Sequence, residues 1–141
     1  MEFTSKEARK FSSDGKIDFW VHEFLLSVGN NDKLSKIMKE QNYFSKVKKI
    51  KLSDMYRICG PEEGMRFLEN EEKFERKINK MVISLKNGWD PAPLILWKQM
   101  NNYSIADGCH RFEALKKLGY KEYWAIIWKG NYKDENKPQL L

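Results

Sequence analysis

The chain has 141 residues, the size of one domain with room for an added subdomain, and its 41% hydrophobic and 13% aromatic residues can supply a core. Its 26 basic against 20 acidic side chains leave a net charge of +6, which favours anionic partners such as nucleotides, nucleic acid or phosphorylated metabolites. No apolar run of about 18 residues occurs, so no membrane-spanning helix is expected. The opening Met1–Glu7 lacks the basic-then-apolar order of a signal peptide, and the two cysteines lack zinc-site spacing, so a cytoplasmic location is expected.

Residues 1–16 are polar and read as a frayed start. Ile17, Trp20, Val21, Phe24, Leu25 and Val28 then recur at helical spacing, with Gly29 as the stop. His22 falls on the exposed side of that helix. A second short helix is expected over 32–41, with Leu34, Ile37 and Met38 inward. Residues 1–45 thus form an N-terminal helical extension to which the sequence assigns no chemistry. Val47–Leu52 alternates apolar with basic residues, as a half-buried strand does. Cys59-Gly60-Pro61-Glu62-Glu63-Gly64 reads as a loop, and residues 66–86 as one or two helices with Phe67, Leu68, Phe74, Ile78, Met81, Val82 and Leu85 inward. Leu94–Trp97 and Tyr103–Ala106 suggest a hairpin, 110–118 a helix and 123–128 a strand. Residues 131–141 read as a polar, mobile tail. The order β, α, β, β, α, β over residues 46–130 indicates an α+β domain.

The most informative stretch is Asp107-Gly108-Cys109-His110-Arg111, between the last apolar strand and an amphipathic helix. A helix N-terminus presents unpaired N–H groups and partial positive charge, a ready anion site. Gly108 lets an anion approach the backbone, Arg111 offers a planar charged fork, and His110 adds a donor. Cys109, at the helix start beside His110 and Arg111, is expected to have a lowered pKa. Asp107 is either a turn or N-cap residue, or a ligand for a magnesium ion or a hydroxyl group brought next to bound phosphates.

Gly-Cys-His-Arg at a strand-to-helix turn resembles sulfiredoxin, and Asp-Gly-x-His-Arg resembles the free serine kinases and other stand-alone members of the ParB/sulfiredoxin superfamily. The flanks agree: Pro91-Ala92-Pro93-Leu94-Ile95-Leu96-Trp97, the strand Lys121–Trp128 and the upstream Lys51–Arg57 resemble that fold's segments, so the resemblance covers roughly residues 47–129. It implies a ParB/sulfiredoxin-like, nucleotide-binding domain over 46–130, with Gly108, Cys109, His110 and Arg111 holding phosphates of ATP or ADP, or of CTP as in ParB. It further implies Arg57 and Arg76 as nucleotide contacts, Glu62 or Glu63 as a general base, and Asp107 as the magnesium ligand or a second group on the acceptor hydroxyl.

Three activities are implied by the resemblance. The leading one is a nucleotide-dependent phosphotransferase, kinase-like, acting on a small hydroxyl-bearing metabolite. The second is sulfiredoxin-like, ATP-dependent reduction of a sulfinic acid through Cys109; Asp107 departs from the Gly that sulfiredoxins typically carry there. The third is a ParB-like, nucleotide-gated module that binds DNA or a protein partner. It would account for the basic charge, but a DNA-reading helix-turn-helix does not come after the core, so DNA is not the favoured partner.

Overall fold

Two edges and a doubly buried centre define the main sheet in the computed structural model, which describes residues 1–130. The helices are α1 (Ser5–Ser13), α2 (Ile17–Leu25), α3 (Asp32–Lys39), α4 (Glu71–Lys86) and α5 (Cys109–Lys117). The strands are β1 (Lys48–Lys51), β2 (Met55–Tyr56), β3 (Cys59–Gly60), β4 (Phe67–Leu68), β5 (Leu94–Lys98), β6 (Tyr103–Asp107) and β7 (Glu122–Trp128). Five strands form a mixed sheet in the order β1-β7-β5-β6-β2, and β3 and β4 pair separately and in parallel. This is an α+β fold.

β5 lies between β7, which it joins in parallel, and β6, which it joins antiparallel. Leu94, Ile95 and Leu96 are fully buried, as an unbroken apolar run flanked on both sides requires. β1 is an edge strand and shows solvent Lys48, Lys49 and Lys51, charges that discourage pairing with another chain. On β6, Asp107 lies opposite Ile95 while Ile105 lies opposite Leu96, so Ala106 is an extra residue. Such a bulge bends its strand and re-aims the chain beyond it, here the turn into α5.

The N-terminus is ordered rather than frayed. Thr4 accepts a hydrogen bond from the Glu7 amide (3.1 Å), and the Glu7 carboxylate reaches back to the Glu2 and Phe3 amides and across to the Trp20 indole (2.8 Å). Thr4 is thus the N-cap of α1, and Glu7 in the first turn holds the two residues that precede the cap. Asp90 then ties α1 to the core by accepting from the Ser5 hydroxyl and the Lys6 amide. The α2 stripe is inward as expected up to Leu25, but the helix ends there and Val28 is 72% exposed. His22 is buried, not on the outer face: its ring nitrogens contact Ser35 Oγ and Asn42 Oδ1, each at 2.7 Å, and so join α2, α3 and the loop after α3.

Residues 66–86 are a short strand and then one helix. Asn70 caps α4 by accepting from the Lys73 amide, and the preceding Phe67 and Leu68 pair with Cys59 and Gly60; Leu68 is exposed. The expected loop at 59–64 therefore begins as a strand. The hairpin of β5 and β6, helix α5 and strand β7 stand where the sequence puts them, to within a residue or so. The tail expected over 131–141 lies outside the described residues.

Candidate functional site at the turn from β6 to α5

Gly108 caps α5 with φ 116° and ψ 24°, a conformation that costs L-residues energy. A Cβ there would meet Leu94 Cδ2 at 2.7 Å and Arg111 Nη2 at 2.9 Å, so both space and dihedral call for glycine. The first bond of α5 runs from the Phe112 amide to the Gly108 carbonyl (2.9 Å), leaving the amides of Cys109, His110 and Arg111 without intrahelical acceptors. All five residues of the 107–111 stretch line one cavity of about 370 Å³.

The cavity is not closed by the α+β core alone. Phe24 and the loop from Val28 to Asn31 form one wall, and Lys77 and Met81 of α4 another. The N-terminal extension, to which the sequence assigned no chemistry, therefore builds part of this site. Asn31 Nδ2 donates to Asp107 Oδ1 (3.2 Å) and orients the carboxylate that faces the cavity. The Phe24 ring lies 5.3 Å from the Arg111 guanidinium. Neither contact has a sequence signal, since they join residues far apart in the chain.

Arg111 is 8% exposed and largely committed to the protein. Nε donates to the Ala92 carbonyl (3.1 Å) and Nη2 to that of Pro93 (2.9 Å), which pins the segment leading into β5; Nη1 is 3.5 Å from Asp107 Oδ2. The open fork expected from the sequence is thus reduced to the edge that faces Asp107. His110 Nε2 is 2.8 Å from Glu69 Oε2, and its ring lies tilted against Phe74. Glu69 fell within a stretch read as helical; its position is set by the short β3–β4 ribbon, where its amide donates to the Gly60 carbonyl (2.8 Å).

Arg57, Glu62 and Glu113 form a separate cluster. Arg57 engages both Glu62 oxygens and Glu113 Oε1 (2.8 Å), donates to the Cys59 carbonyl (2.8 Å), and lies over the Phe74 ring. The ion pair holds the Glu62 carboxyl below its ordinary value, outweighing slight burial. Glu62, Glu63 and Arg57 do not line the cavity; Glu63 and Arg76 are exposed, and it is Lys77 beside Arg76 that reaches the cavity wall. A base role for Glu62 would require release from Arg57.

Cys109 is 4% exposed. The Cys59 thiol donates to its sulfur, and the amides of Cys59 and Ile58 do the same; together they hold the Cys109 thiol below its ordinary pKa despite burial and the nearby Asp107 charge. Cys59, the donor, is pushed up by that hydrogen bond, by burial and by the charges of Cys109, Glu69 and Asp107. The lowered pKa agrees with the sequence expectation, but Cys59 and two amides produce it rather than His110 and Arg111.

Asp107 is the one carboxylate in the 107–111 stretch, and among the described residues no group of three or more His, Cys, Asp or Glu side chains is arranged to hold a metal ion. A single carboxylate suits a magnesium ion whose other ligands are phosphate oxygens and water, so Asp107 fits that role.

Residues 47–140 match the model of the ParB N-terminal domain, and the chain belongs to that family. Among solved structures it is similar to sulfiredoxin from Arabidopsis thaliana, at 24% identity over 61% of this chain and 88% of that one, with a TM-score of 0.47. It is also similar to a free serine kinase in complex with AMP, at 24% identity over 59% of this chain and 31% of that one (TM-score 0.45). A third is a C-terminally truncated ParB from Caulobacter crescentus complexed with CTP-gamma-S, at 16% identity over 65% and 48% (TM-score 0.44). The chain thus spans less than half the length of the kinase and ParB chains. No protein of curated function matches it. No helix among the described residues is long and apolar enough to cross a membrane.

Proposed function

We propose that this domain binds a nucleoside di- or triphosphate, ATP or ADP first and CTP as an alternative, at the turn from β6 to α5, and transfers phosphate to a small hydroxyl-bearing metabolite. The observation that carries this is the cavity at the α5 N-terminus, where Gly108 has no side chain and the amides of Cys109, His110 and Arg111 have no intrahelical acceptors. Lys77 and the Nη1 edge of Arg111 add positive charge to the same space. In the transfer, the metabolite oxygen bonds to phosphorus, the bridging P–O bond breaks toward the nucleotide, and the hydroxyl proton passes to a carboxylate. Asp107, oriented by Asn31, lines the cavity and suits that contact or a magnesium ion; Glu62 and Glu63 serve only if their loop moves inward. Magnesium held by Asp107 would neutralise phosphate charge.

A thermal-shift series with ATP, ADP, AMP and CTP, each with magnesium, tests binding. Nucleotide at about a hundred times Kd should stabilise the fold by about 2.7 kcal/mol, a rise of several degrees in Tm. A flat response to all four at millimolar concentration would remove the site assignment; a shift without phosphate transfer to a panel of hydroxyl metabolites would remove the kinase chemistry alone. A second reading, sulfinic acid reduction through Cys109, is favoured by the three donors on its sulfur. Phosphate transfer that survives Cys109→Ser separates the two.

A further inference from the structure

The 370 Å³ cavity has two chemically different kinds of wall. One is the turn 107–111, with Lys77 and the Nη1 edge of Arg111. The other is apolar and comes partly from outside the family domain: Phe3 and Phe24 of the N-terminal extension join Met81 of α4 and Trp89 of the loop after it. Phe24 is buried behind this wall, its ring stacked on Trp20 (5.3 Å) and 5.3 Å from the Arg111 guanidinium. Phe3, Met81 and Trp89 are half-buried and keep surface toward the cavity. The Phe3 ring packs on Trp20 (5.9 Å) and Phe24 (5.8 Å). Its backbone is held in an unfavourable conformation, with φ 55°. Among the described residues Phe3 and Asn30 are the two non-glycine residues with positive φ, and both line this cavity. Glu7 fixes the segment by accepting from the Phe3 amide (3.0 Å) and the Glu2 amide (2.8 Å). Covering Trp20 and Phe24 needs only an apolar side chain; backbone this strained is retained where a site depends on it.

We propose that Phe3, with Trp89 and Met81 beside it, is a base subsite: the flat ring of the nucleotide lies on Phe3 while its phosphates occupy the turn from β6 to α5. This rests on the nucleotide-binding reading above and adds a residue from outside the family domain to it. Cationic and amide groups share one cavity with an aromatic wall, which calls for one ligand that is anionic at one end and flat and apolar at the other. A phosphorylated metabolite without a ring would leave the aromatic wall unfilled. Stacking on an aromatic side chain accepts any base, because every base has a π-face, so this subsite takes purine and pyrimidine nucleotides alike. The extension is thereby part of the nucleotide site, and Phe3 determines preference for a nucleotide over a bare polyphosphate.

Calorimetric titration of the full-length protein with ATP and with inorganic tripolyphosphate, each with magnesium, tests this. The wild-type protein should bind ATP tighter than tripolyphosphate by about tenfold or more, the scale of one base–aromatic stack. Phe3→Ala should weaken ATP by about the same factor and change tripolyphosphate by less than about twofold. Phe3→Leu keeps an apolar cover over Trp20 and Phe24 but no flat ring, so it should show the same split even if Phe3→Ala does not fold. Phe3→Trp should restore ATP affinity. Equal weakening of both probes in Phe3→Leu would make Phe3 a packing residue only and overturn the proposal, as would unchanged ATP affinity in that variant. Wild-type protein that binds tripolyphosphate as tightly as ATP would remove the base subsite and leave the phosphate site standing. Binding of neither probe would remove the nucleotide reading, and the subsite with it.

Discussion

Gly108 has a positive φ and no room for a side chain, and Gly119 provides a control that separates the two. Gly119 has φ +84° with nothing within 4 Å of an added Cβ, so Gly119→Ala tests backbone strain alone. Gly108→Ala adds contacts with Leu94 and with Arg111, whose guanidinium is fixed by the Ala92 and Pro93 carbonyls. Strain of this kind costs about 1–3 kcal/mol, so the Gly108 variant should lose at least that and clearly more than the Gly119 variant. Urea unfolding checks it; equal midpoints for the two would mean that the turn has room to relax. At this scale the sequence was most informative about the backbone. Asp107-Gly108-Cys109-His110-Arg111 declared a glycine-bearing turn into a helix, and that is local information. It could not declare that Arg111 spends two donors on Ala92 and Pro93, because those partners are set by how β5 enters the sheet.

Among the elements, α2 and α3 meet at a buried polar centre, His22 with Ser35 and Asn42, whose charge state varies with pH. Burial holds His22 below its ordinary pKa of 6.5, and the Lys39 charge adds to this, while Asn42 and Asp18 oppose it. The folded protein therefore keeps His22 neutral where the unfolded chain has begun to bind a proton. That contribution is fully present above pH 6.5 and is lost as pH falls through the folded pKa. Stability measured by urea titration should decline between pH 6.5 and the onset of carboxylate titration, and His22→Gln should flatten the decline; an unchanged slope in the variant would assign it elsewhere. The periodicity of α2 and α3 was legible because their apolar residues recur at helical spacing. α1 was not: Ala8 is its one fully buried apolar residue, and its order comes from Thr4, Glu7 and the distant Asp90. His22 was misplaced for a related reason, since Ser35 and Asn42 meet it only once α2 and α3 have packed.

The whole molecule joins the family domain to a helical extension through bonds that cross the division at residue 45. Ser45 donates its amide to the Ile127 carbonyl (2.8 Å) and accepts from the Ile127 amide (2.9 Å); the Trp128 indole donates to the Gln41 carbonyl (2.7 Å); and the Val47 amide donates to Ser12 Oγ (3.0 Å). Trp20, Val21, Leu25, Leu34 and Met38 are fully buried in the same contiguous core as Ile126 and Trp128. Burial of one such side chain is worth about 1.5–3 kcal/mol, so even a few lost contacts rival the 5–15 kcal/mol by which a domain is stable. A chain restricted to residues 46–141 should therefore melt at markedly lower temperature and bind a hydrophobic dye that the full chain excludes. It should also lose nucleotide affinity beyond what instability explains, because Phe24 and the Val28–Asn31 wall leave the cavity and Asp107 loses Asn31. The folding and binding arms are separable: Asn31→Ser in the full chain leaves a hydroxyl that can still cap α3 by accepting from the Leu34 amide and removes the longer amide that donates to Asp107, so it should weaken magnesium-dependent binding with a small change in Tm. A truncated domain that melts like the full chain and binds nucleotide equally would show that the extension is an appendage and that the cavity's anion-binding wall is complete without it.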